Sequence, residues 1–258
     1  MLLRPLLVLS GLLWAAAAAA EPIDHVALQD LGGATVARIQ DDGSLMLADG
    51  RVLRLAGIDL PRGALGRETV AALSDLAGRG PLVLKGDGPP EDRYGRLVAE
   101  AFAADGIWIE GELLRRGLAR VATTVDHRIA APALYAAERG ACARRAGLWA
   151  DPDYALRRPD QALRLIDSWQ VVDGRVQSAI LRRGAADLYF GDNPARDLEV
   201  RVPAGIARRM DYDPAKLAGQ RIRVRGWIGK GQGPVITLNH AEQIEVMGRA
   251  QRGDMDEP

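Results

Sequence analysis

The stretch "SLMLADGRVLRLAGIDLPRG" (residues 44–63) says more about the fold than any other part of the chain. Apolar residues alternate on both sides of Asp49-Gly50, which is a strong signal for a two-residue hairpin turn. The second strand of this hairpin carries Arg54 and closes on Asp59-Leu60-Pro61, directly before Arg62. Charged residues at both ends of an apolar strand indicate either a functional site or ordinary packing at the rim of a sheet.

The residues on either side of this hairpin predict a mixture of short strands and helices. The segment "ATVARIQ" before it has the pattern of a strand, and a helix is expected after it over Glu68–Leu76. A second hairpin is expected to turn at Asp105-Gly106. Two more helices are expected to stop at Gly117 and Gly147, because glycine commonly follows the last helical residue. This pattern predicts an α+β, mainly β domain: an OB-type five-stranded barrel with packed helices.

A polar, proline-bearing segment, "ADPDYALRRPDQ" (residues 150–161), separates this block from a second one. The second block alternates apolar and polar residues with a period of two, which indicates strands with one buried and one exposed face. About six such strands and one helix near residues 205–218 predict a second small β-barrel-like domain, OB-like in type. Three arginines of one β-strand are expected to face solvent. There they either bind single-stranded nucleic acid or are only solvated. They are Arg221, Arg223 and Arg225.

Both ends of the chain differ in composition from the rest. Residues 1–20 combine Arg4, an apolar run and a small-residue tract, as in a cleavable export signal, with an uncleaved membrane anchor as the alternative. The chain is then expected to divide into a lead (21–33), a first domain (34–150), a linker (151–165), a second domain (166–248) and a disordered tail (249–258). The expected location is the bacterial periplasm or the exterior, with no transmembrane segment after cleavage.

The composition limits the kinds of site that the chain can build. Its 34 Lys and Arg residues balance its 34 Asp and Glu residues, so binding a polyanion requires basic side chains gathered on one face. Nearly all the positive charge is arginine, the better bidentate ligand for phosphate. Cys142 is the only cysteine and the three histidines are scattered, which excludes an intrachain disulfide and a zinc site with several cysteines.

Four short motifs resemble, in order and spacing, the thermonuclease (staphylococcal-nuclease-like) family over residues 34–150. They are "QDDGSLML", "LRLAGIDLP", "DRYGR" and "ELLRRGLARV". The family pattern runs D-G-D-T-V, then R-L-x-x-[IV]-D-[TA]-P-E, then Y-G-R, then [VN]-x-x-L-[VL]-x-x-G-[LY]-A. The resemblance implies a phosphodiesterase that uses one Ca²⁺, two arginines and a glutamate as general base.

Matched residue by residue, the resemblance implies that Arg54 and Arg96 are the catalytic arginines and that Asp59 is a metal ligand. Arg93 and Tyr94 are the implied phosphate- and nucleotide-binding residues. Fixed guanidinium charges suit a reaction in which negative charge develops on phosphate oxygens. A hard cation such as Ca²⁺ requires carboxylate and carbonyl oxygens as ligands.

Departures from the family pattern argue against efficient hydrolysis by that mechanism. Arg62 stands where the family has its general-base glutamate, and a guanidinium cannot accept a proton at neutral pH. Gly43 stands at an aspartate position, and Asp42, one residue earlier, replaces that ligand only if the turn shifts. Leu60 stands at a threonine position. Glu68 substitutes for the missing base only if the intervening loop rearranges.

The spacing of Arg54 and Asp59 provides a geometric check on the implied site. Residues five apart face opposite sides of a regular strand, so both reach one cleft only if a bulge intervenes, and Ala56-Gly57 is the predicted place. The alternative is a purely structural cluster in which Arg54 and Arg96 surround Asp59.

The sequence therefore leaves two functional classes open. The departures favour an exported, catalytically impaired module whose arginine-lined cleft binds single-stranded nucleic acid or a periplasmic protein partner. The family pattern favours an active nuclease or phosphodiesterase on DNA or RNA, with Ca²⁺ as its cofactor. An enzyme of that kind needs at least two carboxylates within metal distance of each other near Arg54, and a binding module does not.

Overall fold

A computed structural model describes Ile23 and residues 28–247 of the 258-residue chain. The predicted export signal (1–20), the predicted tail (249–258) and part of the lead (21–33) lie outside the described residues. Within the described ranges, none of the helices combines the length and the apolar character that a membrane crossing requires.

The first half of the structure is a six-stranded sheet with three helices. Its elements in chain order are β1 (Gln29–Ala34), β2 (Val36–Ile39), β3 (Leu45–Leu47), β4 (Val52–Leu55), β5 (Ile58–Asp59), α1 (Gly63–Ala77), β6 (Leu82–Gly86), β7 (Leu97–Phe102), α2 (Ile109–Arg116), β8 (Arg120–Val121) and α3 (Ala131–Arg144). The sheet order is β1-β6-β7-β4-β3-β2, in which only β4 and β7 run parallel, and β5 pairs separately with β8. The two outermost strands, β1 and β2, are separated along the chain by Thr35 alone.

Local sequence signals account for the turns that position these elements. Gly50 has a φ of +87° between β3 and β4, which confirms the predicted hairpin. Gly117, with a φ of +73°, ends α2 as predicted, and a Cβ there would lie 2.3 Å from the Ala146 carbonyl oxygen. Helix α1 begins at Gly63, five residues before the predicted start at Glu68. Gly66 allows this early start, because a Cβ at that position would lie 2.7 Å from the Pro61 carbonyl oxygen.

The second half is a seven-stranded sheet. Its strands are β9 (Ser168–Arg175), β10 (Ser178–Arg182), β11 (Ala185–Tyr189), β12 (Glu199–Val202), β13 (Arg221–Lys230), β14 (Pro234–Thr237) and β15 (Ile244–Val246). The single helix predicted near residues 205–218 is instead a four-residue helix, α4 (Ala204–Ala207), followed by a 3₁₀ turn at Pro214–Leu217. Further 3₁₀ turns lie at Gly147–Ala150, Pro159–Leu165 and Ala241–Gln243.

The two sheets repeat one pairing order. In the second, β10 pairs with β11, β11 with β12, β12 in parallel with β14, β14 with β13, and β13 with β9. Strands β9 and β10 are again separated by only two residues along the chain. Each half therefore has one parallel strand pair, and its first two strands pair with different partners, β1 with β6 and β2 with β3, β9 with β13 and β10 with β11. The second sheet differs in that β15 also pairs with β13.

The arginines of β13 correct one prediction. Arg223 and Arg225 were expected to face solvent, but they are 6% and 2% exposed, and only Arg221 of the three is exposed. Arg225 donates to the Glu138 carboxylate of α3, and Arg223 lies 3.0 Å from Asp173 on β9. Period-two alternation shows which residues share a strand face, but it does not show whether that face meets water or carboxylates of another element. The predicted solvent-exposed arginine strip was therefore wrong.

Candidate functional site

The strand that contains β4 is interrupted after Leu55, and residues on both sides of the interruption line one pocket. The chain leaves β4 at Leu55, turns at Gly57 with a φ of +68° and continues as β5. A Cβ on Gly57 would lie 2.5 Å from a methyl carbon of Leu134, so only glycine fits this turn without displacing a helix side chain. The sequence predicted a bulge at Ala56-Gly57, and the structure has a turn there that interrupts the strand. Arg54 and Asp59 both line the resulting pocket of about 760 Å³.

Four arginines line this pocket: Arg54, Arg62, Arg67 and Arg96. Among the described residues, no carboxylate lies within ion-pair distance of the guanidinium groups of Arg54, Arg62 or Arg67. Unpaired positive charges in a concave, partly low-dielectric wall attract anions more strongly than the same charges on a flat surface. The arrangement suits a phosphate-bearing ligand.

Arg96 differs from the other three because a carboxylate holds it in place. Asp92 accepts hydrogen bonds from the Arg96 side chain at 2.8 and 2.9 Å and from the backbone N–H groups of Arg96 and Tyr94. Burial, which alone raises the pKa of Asp92, is outweighed by these hydrogen bonds, and the pKa lies below its ordinary value. Asp92 therefore stays ionised and fixes the Arg96 guanidinium at the pocket wall.

A smaller recess of about 410 Å³ adjoins the pocket and shares Arg54 and Arg96 with it. Arg93 and Tyr94 line this recess. The Tyr94 side chain is 67% exposed, and the Arg93 guanidinium lies 4.7 Å from its ring centroid and donates to its hydroxyl at 2.6 Å. An exposed aromatic ring flanked by guanidinium groups can stack on a nucleotide base.

Asp59 lies in the pocket but its partner was not predicted. Its carboxylate accepts two hydrogen bonds from Arg120, at 2.8 and 3.0 Å. The Arg120 guanidinium also lies 4.2 Å from the ring centroid of Trp169, on β9 of the second sheet. The structural alternative, with Arg54 and Arg96 around Asp59, is therefore wrong, because Arg120 pairs with Asp59 and Asp92 pairs with Arg96.

The remaining residues of the implied calcium site do not form a ligand cluster. The Asp42 carboxylate accepts the Ser44 hydroxyl at 2.6 Å and the Ser44 backbone N–H at 2.9 Å, which lowers its pKa. A Cβ on Gly43 would lie 2.2 Å from a methyl carbon of Leu60, so Leu60 fills the space that a side chain at position 43 needs. Across the described residues, no three Asp, Glu, His or Cys side chains are grouped closely enough to hold a metal ion. The two implied ligands, Asp59 and Asp42, line the same pocket but are engaged by Arg120 and Ser44, so a cation would have to displace the Arg120 guanidinium from Asp59.

The structure does not bring Glu68 into the pocket as a base in place of Arg62. Arg62 directly precedes α1 with an exposed side chain, and its backbone N–H donates to the Tyr154 hydroxyl at 3.0 Å. Glu68 is exposed on α1 and is not among the described residues that line the pocket. The rearrangement that would bring Glu68 in as a base is absent from the described loop.

Five residues of the site were missed by the sequence analysis: Asp41, Arg67, Asp92, Arg120 and Tyr154. Asp92 had a local signal, because an aspartate two residues before the Tyr94-Gly95 turn commonly accepts the backbone N–H groups that follow it. Arg67 was missed because the helix was predicted to begin at Glu68, whereas α1 begins at Gly63 and includes Arg67, which lines the pocket. Arg120 and Tyr154 contact the site only through tertiary structure, since the hydrogen bonds they make to Asp59 and Arg62 span 61 and 92 residues.

Comparison with known proteins gives two findings. Residues 52–151 match the family described as Staphylococcal nuclease homologue. A protein of Oryza sativa subsp. japonica described as "Probable staphylococcal-like nuclease CAN1" is 37% identical over 111 residues, which cover 42% of this chain and 31% of the rice protein. The chain thus spans about a third of the length of the curated relative that it matches. The match of the family begins at Val52, whereas the motif resemblance was placed from residue 34 onwards.

Proposed function

Because residues 52–151 form a staphylococcal-nuclease-like domain, we propose that this protein binds single-stranded nucleic acid in its arginine-lined pocket and is impaired in hydrolysis. The observation that carries the proposal is that Arg54, Arg62 and Arg67 line one pocket and have no carboxylate partner within the part of the chain that the structure describes. They are joined there by Arg96, which Asp92 holds in place. The arginines supply positive charge that attracts phosphate. Among the described residues, no three ligating side chains lie close enough together to hold a metal ion.

The proposal assigns each part of the site a task in binding. Arg54 and Arg96 contact one phosphate of the strand, since both line the pocket and the adjoining recess. Tyr94, together with Arg93, stacks on the neighbouring base. Arg120 neutralises Asp59, which removes a negative charge that would otherwise repel the phosphate. No step in this account uses a metal ion or a general base.

The competing function is Ca²⁺-dependent hydrolysis of DNA or RNA. It is favoured by the name of the rice relative and by the placement of Arg54, Arg96, Asp59 and Asp42 around one pocket. It requires Asp59 to exchange its Arg120 partner for a cation, and it requires another carboxylate of the pocket, Asp41 or Asp42, to act as the base in place of Arg62. A periplasmic protein partner is the third candidate, and lack of binding to any nucleic acid would favour it.

The finer structural assignments belong to the same proposal. Both halves are OB-type barrels, supported by the shared pairing order and by the first two strands of each half, which pair with different partners. The domains divide at 34–150, 151–165 and 166–248. Residues 1–20 direct export, which is checked by whether the protein recovered from a bacterial host begins at Glu21.

Replacing Arg54 by alanine is expected to weaken binding of a labelled single-stranded oligonucleotide by about tenfold or more, because a charge-assisted hydrogen bond to phosphate is lost. Arg54 is the cleanest probe, since removal of Arg96 would also leave Asp92 without its partner. Fluorescence anisotropy at one fixed salt concentration, in the presence of a chelator, measures the effect.

The matched control is Arg164→Ala, which removes the same charge from an exposed arginine outside both pockets. Equal and small losses in Arg54→Ala and Arg164→Ala would contradict binding in the pocket and leave only diffuse surface attraction.

A further inference from the structure

Two arginines of the pocket, Arg62 and Arg67, have no role in the family pattern. Arg62 directly precedes α1 and Arg67 lies in the second turn of that helix. Both side chains are exposed, both line the pocket, and no carboxylate among the described residues pairs with either. Exposed arginines of the described residues differ in this respect: Arg51, Arg79 and Arg158 pair with a neighbouring carboxylate, whereas others, such as Arg164, have no carboxylate partner and lie outside the pocket.

The backbone beneath these two side chains is held by tertiary contacts. The Tyr154 hydroxyl accepts a hydrogen bond from the backbone N–H of Arg62 at 3.0 Å. Gly66 packs so closely on Pro61 that even a Cβ would lie 2.7 Å from its carbonyl oxygen. Arg67 extends from a helix of fifteen residues, Gly63–Ala77. The two side chains therefore extend from backbone positions that are held in place, so binding a ligand has to order only the side chains themselves.

The charge at this end of the pocket suits a dianion better than a phosphodiester. A phosphodiester carries one negative charge, whereas a terminal phosphate monoester carries between about 1.5 and 2 near pH 7 and has three oxygens that accept hydrogen bonds. Asp59 is paired with Arg120 and the first turn of α1 contains no acidic residue, so the carboxylates that remain among the described lining residues are Asp41 and Asp42, against four arginines. Because the carboxylates do not gather a metal, the arginines are the source of positive charge in the described pocket.

The size of the pocket fits the same conclusion. A volume of about 760 Å³ holds a nucleotide with its phosphates rather than one isolated phosphate group. Arg54 lines both the pocket and the recess of Tyr94, so it lies between that recess and the end of the pocket formed by Arg62 and Arg67.

We infer that Arg62 and Arg67 bind the terminal phosphate monoester of a nucleic-acid strand, without a divalent cation, while Arg54 and Arg96 bind the adjoining phosphate. This inference rests on the proposed function, because it names the end of the strand that the same pocket recognises. Arg62 is thereby a specificity residue for the strand end rather than the remnant of a lost base.

The test compares three single-stranded oligonucleotides of one sequence, bearing a 5′-phosphate, a 3′-phosphate or hydroxyls at both ends, in buffer with a chelator. The full chain is expected to bind one of the phosphorylated strands about tenfold more tightly than the hydroxyl strand. The double variant Arg62→Gln/Arg67→Gln is expected to lose this preference, so that it binds the phosphorylated strand no more tightly than the hydroxyl strand. The double variant Arg164→Gln/Arg208→Gln carries the same charge change on exposed residues outside the pocket and is expected to keep the preference.

Each result has a separate meaning. Equal binding of all three strands, sensitive to Arg54→Ala, would overturn this inference and leave the proposed function standing. A preference for the phosphorylated strand that requires added Ca²⁺ would also overturn it. Absence of binding to every strand would overturn both. Thermal unfolding of each variant shows whether the fold is retained, which is expected because all four arginine side chains are exposed.

Discussion

The Glu138→Ala variant is expected to lose about 3–5 kcal/mol of unfolding free energy, because it leaves the Arg225 guanidinium buried without its closest counter-charge. Glu138 is 0% exposed and Arg225 is 2% exposed. Glu138 lies on α3 of the first half and Arg225 on β13 of the second, so this ion pair joins the two halves. The second oxygen of Glu138 accepts the backbone N–H of Val121 at 2.6 Å, and the variant leaves that donor unpaired as well.

The rest of the cluster does not replace the lost carboxylate. Arg225 lies 3.4 Å from Glu245 and 4.3 Å from the ring centroid of Tyr135. Glu245 already pairs with Arg139 at 2.9 Å. Val121 directly follows Arg120, so loosening it also loosens the partner of Asp59 at the pocket. We therefore expect weaker nucleic-acid binding in Glu138→Ala even at temperatures where the chain remains folded.

Urea unfolding measures the expected loss, with Arg139→Ala as the matched control. Arg139 pairs with the same cluster through Glu245, but its side chain is 45% exposed, and an exposed pair contributes about 1 kcal/mol or less. A loss in Glu138→Ala no larger than the loss in Arg139→Ala would contradict the account of the buried pair.

The free energy of unfolding is expected to fall as pH rises from about 5 to 8, by up to about 1.4 kcal/mol per pH unit for each of two buried glutamates. Glu100 on β7 and Glu110 on α2 are 3% and 0% exposed. Burial raises the pKa of Glu100 to about 8. Burial and the neighbouring charge of Glu100 raise the pKa of Glu110 well above its ordinary value.

The direction of this pH dependence follows from which state holds the proton. In the unfolded chain both glutamates ionise near their ordinary pKa of 4.5, whereas in the folded chain they stay protonated to higher pH. Unfolding therefore releases protons in this window, and rising pH favours the unfolded state. Carboxylates whose pKa is lowered, such as Asp87 and Asp92, are ionised in both the folded and the unfolded state above pH 5. They change the free energy of unfolding only at lower pH.

Urea unfolding at pH 5, 6, 7 and 8 checks this prediction. Glu110→Gln keeps an acceptor for the Ala101 backbone N–H and is expected to flatten the dependence. The exposed Glu68→Gln variant is the control and should follow the unsubstituted protein. Stability that rises over this window, or a slope unchanged in Glu110→Gln, would contradict the buried protonated pair.

Local signals in the sequence predicted much of the first half. The Asp49-Gly50 hairpin, the break at Ala56-Gly57 and the end of α2 at Gly117 each depend on a glycine with positive φ, which can be identified from a short stretch of residues. The family resemblance was likewise carried by short motifs, and residues 52–151 match that family. The α+β class followed from the same signals.

Contacts between distant segments account for what the sequence did not predict. Arg223 and Arg225 alternate like exposed strand residues, but α3 and β9 supply carboxylates to them. The departures at Gly43 and Leu60 were each visible, yet only the structure shows that the Leu60 side chain fills the space beside Gly43. The pairing of Asp59 with Arg120 had no local signal. The roles assigned to Arg54, Arg96, Arg93, Tyr94, Asp59 and Asp42 stay predictions.

The most direct test of the central claim is a parallel assay of binding and cleavage of one labelled single-stranded DNA and one RNA, with Ca²⁺ and with a chelator. The account predicts equal binding under both conditions, binding weakened by about tenfold or more in Arg54→Ala, and no cleavage. Cleavage that requires Ca²⁺ and disappears in Arg54→Ala would contradict it, since that result requires Asp59 to leave Arg120 and bind a cation.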